Sequence, residues 1–76
     1  MAPGQCRAAR ALLRINQSEL ARAAGLGLST VVDFENERRR VSDEAVQTIR
    51  AALENAGVDL IDENGGGPGV RLRRLR

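Results

Sequence analysis

Residues 16–36, NQSELARAAGLGLSTVVDFEN, decide how this chain folds. Asn16 precedes an apolar-periodic run, and Glu19 stands three residues on. That is the capping-box spacing, at which the cap side chain and the N3 side chain each satisfy the other's backbone N–H. A helix is therefore expected over Gln17–Ala24, with Leu20, Ala21 and Ala24 facing inward. Gly25 stops it, because a residue without Cβ takes positive φ most cheaply. Gly27 is a weak cap for the next helix, expected over Leu28–Asn36. There Val31 and Phe34 face one way, and Leu28, Ser29, Val32, Asp33 and Asn36 face the other.

Working outward, residues 3–15 (PGQCRAARALLRI) have helical spacing. Pro3 suits a first turn, where its missing N–H is not needed. Cys6, Ala9 and Leu13 share one face with Leu12 beside it; Arg7, Arg10 and Arg14 line the neighbouring stripe. Downstream, ERRRV (37–41) is a polar loop. Ser42 caps a fourth helix, with Asp43 and Glu44 in its first turn, where they favour the helix dipole. Val46, Ile49, Ala52, Leu53 and Ala56 carry its apolar stripe as far as the stop at Gly57.

The period then drops to two. Val58 and Leu60 alternate with polar neighbours, a glycine-rich turn follows, and Val70 and Leu72 alternate with Arg71 and Arg73. This is a hairpin pattern. The same GGGPG composition also suits a disordered linker or tail.

Composition bounds the function. With 76 residues the chain is one small domain, and such a domain buries only about 60% of its unfolded surface. Dimerisation is a natural supplement. Phe34 is the one aromatic residue. A single cysteine, Cys6, excludes an internal disulfide, and without histidine a Cys/His zinc site is excluded too. Cys6 reads as a small buried apolar residue, with a reactive thiol, which Arg7 and Arg10 nearby would favour, as the alternative. No signal-peptide core and no membrane-length apolar run occur, so a cytoplasmic protein is expected. Every basic residue is Arg, and the charge is segregated: residues 1–40 carry net +3, residues 41–69 net −5 and residues 70–76 net +4. Basic ends around an acidic middle suit a polyanionic partner. No nucleophile–base constellation exists, so no enzyme, catalytic residue, metal, cofactor or small-molecule ligand is expected.

Two short helices joined by a glycine-containing turn form a helix-turn-helix unit. Ala21 allows the helices to cross closely, and Leu20, Ala24, Leu26, Val31 and Phe34 fill the angle between them. The run QSELARAAGLGLSTVVDFEN resembles the Cro/C1-repressor (XRE-like) helix-turn-helix family at Gln17, Leu20, Ala21, Gly25, Leu26, Val31, Phe34 and Glu35. With the flanking helices the resemblance covers roughly residues 4–57. It departs from the pattern at Glu37, where a glycine is common, and at Gly27, where Ser or Thr is usual.

The resemblance implies an all-α, compact four-helix, lambda-repressor-like domain over residues 1–57. The C-terminal strand or hairpin and basic tail, 58–76, would then serve dimerisation through Val58, Leu60, Val70 and Leu72. It places the 28–36 helix in the major groove of double-stranded DNA, with Leu28, Ser29, Val32 and Asp33 reading bases. Leu28 and Val32 suit thymine methyls, and Asp33 suits cytosine N4–H2. Asp33 equally suits a solvent-facing or Arg-paired acid. Gln17, Asn36, Arg38, Arg39, Arg40 and Arg14 are the expected phosphate contacts. Arg10 and Glu35 are the expected structural ion pair. The function implied is a bacterial transcriptional regulator, repressing by default, bound as a homodimer to a pseudo-palindromic operator. The alternative is a protein-binding module, antitoxin-like or antiactivator, docking through Leu28 and Val32.

Overall fold

The structure is a computed structural model that describes residues 1–73. Its elements run α1 (Pro3–Leu13), α2 (Gln17–Ala24), α3 (Leu28–Asn36), α4 (Asp43–Ala56), β1 (Val58–Ile61) and β2 (Gly69–Leu72). The last part of the basic tail, Arg74, Leu75 and Arg76, lies outside the described residues.

Local chemistry sets the helix ends. Asn16 accepts from the Glu19 N–H at 2.7 Å, and the Glu19 carboxylate accepts from the Asn16 N–H at 2.8 Å. Gly25 ends α2 at φ 69°. The Ser42 hydroxyl accepts from the Ala45 N–H at 3.1 Å and starts α4. The first helix stops at Leu13 rather than residue 15, because Arg14 turns left-handed at φ 59° and donates its N–H back to the Ala11 carbonyl.

Glu37 answers how the chain turns after α3 without the usual glycine. It adopts the glycine conformation itself, at φ 55°, and the Arg38 N–H bonds the Asp33 carbonyl at 3.0 Å. A side chain in that region costs about 1–2 kcal/mol. Part of this is offset because glycine loses more backbone entropy on folding. Glu37→Gly is therefore expected to stabilise by about 0.5–1 kcal/mol, raising Tm by about 3–6 °C. A thermal melt with Tm unchanged or lower would show that the glutamate side chain offsets its own strain.

The core draws on every element except β2. Cys6 and Ala9 of α1, Leu20 of α2, Val31 of α3, Ile49 and Leu53 of α4 and Val58 of β1 are all fully buried. Phe34 of α3, Val41 before α4 and Leu60 of β1 complete it, with Ala21 of α2. Ala21 is buried at the α2–α3 crossing, as its size requires.

The description all-α is too narrow. β1 and β2 pair antiparallel within the chain, with Val58 opposite Leu72 and Leu60 opposite Val70. The period-two pattern wins because one face of the hairpin covers the helical core while the other meets water. The disordered-tail alternative is thereby removed for residues 58–73.

Two further contacts hold the hairpin down. The buried Gln5 side chain donates from Nε2 to the carbonyls of Ile61 and Gly69, at 2.9 and 2.8 Å, and its Oε1 accepts from the Ala2 N–H. On the opposite margin the outward carbonyls of β1 are occupied by guanidinium groups. Arg73 donates to Val58 O at 2.9 Å, and Arg50 donates to Leu60 O at 3.3 Å. Arg50 also pairs with Glu54 and Asp62, and Arg73 with Asp59.

Candidate nucleic-acid interface

Glu35 is the structural hinge of the site. It lies on the inner face of α3, and its side chain is fully buried. A carboxylate there must have its oxygens satisfied, and four hydrogen bonds do so. Arg10 of α1 clamps it in the bidentate manner, Nε to Oε2 and Nη2 to Oε1, both at 2.7 Å. The Cys6 thiol donates to Oε2 at 3.0 Å, and Gln17 Nε2 of α2 donates to Oε1 at 3.0 Å. Arg7 adds a hydrogen bond to the Glu35 backbone carbonyl. One carboxylate thus joins the first three helices, and it fixes how α3 is presented.

The electrostatics follow. Burial by itself would raise the Glu35 pKa, but the hydrogen bonds from Arg10, Cys6 and Gln17, with the Arg10 charge, hold it below the usual carboxylate range. Burial pushes the Cys6 thiol well above the ordinary thiol range, and the Glu35 carboxylate pushes it the same way. Cys6 is therefore an inert donor, not a nucleophile. The hydrogen bond to Glu35 raises the Arg10 pKa further.

The outer face of α3 is open. Leu28 is 47% exposed and Ser29 is exposed, while Val32 and Asp33 are half-buried. Asp33 is not a free acceptor: its Oδ2 accepts from Arg39 Nε at 2.7 Å. Beyond α3, Asn36, Arg38, Arg39 and Arg40 are all exposed, and the left-handed turn at Glu37 brings the Arg run back beside the helix. Arg14 is exposed in the turn between α1 and α2. Gln17 is half-buried, with its amide already held by Glu35.

The four hairpin residues separate into two pairs. Val58 and Leu60 belong to the core of this chain, while Val70 is half-buried and Leu72 is 54% exposed.

Sequence reasoning passed over several residues that shape this arrangement. Gln5 stood at the third position of α1, a capping signal that was readable. Arg50 and Glu54 stood at i,i+4 spacing, also readable. The Cys6 and Arg7 contacts to Glu35 and the Arg73 contacts to β1 join residues far apart in sequence, and no local pattern encodes them.

Among the described residues there is no cluster of metal-ligating side chains, and no helix is long and apolar enough to cross a membrane. No curated protein matches the chain. The sequence does match the Helix-turn-helix family over residues 7–58, which takes in α1 from Arg7 onward, all of α2, α3 and α4, and the first residue of β1. That span is well over half of the chain, and its second and third helices carry the glycine-broken pair described above. The chain belongs to the Cro/C1-type helix-turn-helix family, a DNA-binding family.

Proposed function

We propose that this protein is a sequence-specific transcriptional regulator, most simply a repressor, that sits on a pseudo-palindromic operator as a homodimer. The observation that carries the reading is the outer face of α3 together with the Arg run folded back beside it. An exposed helix face free of core duties is what a major groove requires. Leu28, Ser29 and Val32 supply the surface that meets base edges. Gln17, Asn36, Arg38, Arg39, Arg40 and Arg14 supply contacts to the phosphates. No Arg, Asn or Gln stands among the four outer-face positions 28, 29, 32 and 33. The strong bidentate pairings with guanine or adenine are missing there. Each subunit then binds modestly, and specificity comes from two half-sites and from DNA shape.

The second subunit joins through β2. The Gly57–Arg73 backbone hydrogen bond sets the alternation of the ladder, so Val70 and Leu72 point their N–H and C=O groups away from β1. Among the described residues these groups make no hydrogen bond. The 54% exposed Leu72 lies on the same strand. Val58 and Leu60 support this strand from within the core. Cutting the chain after Gly57 would therefore remove core as well as interface, so it does not test dimerisation cleanly.

A second reading has one specific observation behind it. Leu28 is among the most exposed large apolar residues, and with Val32 it suits a protein partner. Selection of genomic fragments by the purified protein at physiological salt, followed by sequencing, separates the two. An inverted repeat with half-site centres about 34 Å apart is expected. Recovery of nothing beyond salt-sensitive background would overturn the regulator reading and favour the protein-binding one.

A further inference from the structure

Asp33 is an acid on a surface read here as facing a polyanion, and its surroundings account for it. Its carboxylate is 20% exposed, whereas the Arg39 side chain that covers it is 53% exposed. Only Arg39 Nε faces Asp33, at 2.7 Å. Nη1 makes one long contact, 3.4 Å, to the Arg40 carbonyl, and no contact to Nη2 is made among the described residues. The contact spans six residues and exists because Glu37 reverses the chain and the Arg38 N–H closes on the Asp33 carbonyl.

We propose that Asp33 does not read a base but positions Arg39 as a preformed phosphate clamp, and so acts on DNA only through Arg39. The inference rests on the DNA-binding reading above and assigns Asp33 a role within it. A guanidinium held at Nε keeps its two Nη groups in a fixed fork, the geometry that grips a phosphate with two parallel hydrogen bonds. Holding the side chain in advance removes part of the ordering cost of binding. The pairing also neutralises a carboxylate that would otherwise repel the backbone.

The sign of one substitution distinguishes this role. Removing a carboxylate from a DNA-facing surface should by itself strengthen binding, because repulsion is lost. The clamp predicts the opposite. The full chain, Asp33→Ala, Arg39→Ala and the double variant are compared by fluorescence anisotropy. The probes are one double-stranded fragment selected by the unsubstituted protein and its single-base-pair variants. Asp33→Ala is expected to weaken binding about two- to fivefold, the range of an exposed ion pair, by the same factor on every fragment. In the Arg39→Ala background it should no longer weaken binding at all. Thermal melts of all four proteins guard against a folding effect, and Asp33→Asn, which keeps an acceptor, should fall between the extremes.

A change of preference at one base pair, present in both backgrounds, would make Asp33 a base reader and overturn the proposal. So would tighter binding in both backgrounds. If the unsubstituted protein binds no DNA, both this inference and the proposed function fail. If it binds without coupling between the two residues, this inference alone fails.

Discussion

Replacing Arg10 with Met is expected to destabilise the protein by about 3–5 kcal/mol, the cost of breaking one side of a buried ion pair. A chain of this length has a total stability of only about 4–11 kcal/mol. Tm should fall by at least about 12 °C, or the cooperative transition should vanish. The reason is the asymmetry of the pair. The Glu35 side chain is wholly buried, while Arg10 is 19% exposed. Removing Arg10 strands a carboxylate with only Cys6 and Gln17 to satisfy it. Glu35→Gln leaves Arg10 able to reach water, so it should cost clearly less. Equal losses in the two variants would mean that packing, not charge, governs the site.

The pH dependence has opposite signs in the two proteins. In the native chain the folded-state pKa of Glu35 is depressed. Its contribution is complete above the unfolded value of about 4.3 and is lost as pH falls through the lower folded value. Burial is already the largest single influence on Glu35; without Arg10 only Cys6 and Gln17 oppose it, and the folded pKa is expected to rise above the unfolded one. The penalty in Arg10→Met then develops as pH rises from about 4.3 through that raised value. Denaturant titrations at neutral pH and near pH 4.5 should find the gap between native and variant narrowing in acid. A constant gap would contradict the assignment of the penalty to Glu35.

The second large effect is on binding. Alanine at Arg38, Arg39 and Arg40 together is expected to flatten the salt dependence of DNA affinity by about 2–3 in the log–log slope, close to one unit per lost phosphate contact. All three side chains are exposed, and their one ion pair, Arg39 with Asp33, is more than half exposed at Arg39. The fold should therefore be nearly unaffected, which makes the variant clean. An unchanged slope would reduce the Arg run to a solvated loop.

Much of this was legible in the sequence because the signals were local. The capping box at Asn16, the stop at Gly25 and the cap at Ser42 each act within four residues, and α2, α3 and α4 lie where those signals put them. The end of α1 was not legible, since nothing about an arginine announces a left-handed residue. The turn at Glu37 was hidden for the same reason. The Arg10–Glu35 pairing came from family resemblance; spacing alone could not connect residues 25 apart. For Asp33 the sequence left an Arg-paired acid as one of its readings, but which arginine depends on the turn at Glu37; the partner of Gln17 was beyond reach, because it depends on where α3 comes to rest against α2.

The guanidinium groups lying along β1 bear on how far the proposed assembly could grow. A hairpin normally offers two templates, and a molecule with two could recruit neighbours indefinitely. Here Arg50 and Arg73 occupy the outward carbonyls of one margin, whereas the outward groups of β2 make no hydrogen bond among the described residues, which makes β2 the freer template for a new strand. In the homodimer proposed above, two copies pairing through β2 would leave only β1 margins at the ends of a four-stranded sheet, and growth would be expected to stop at two.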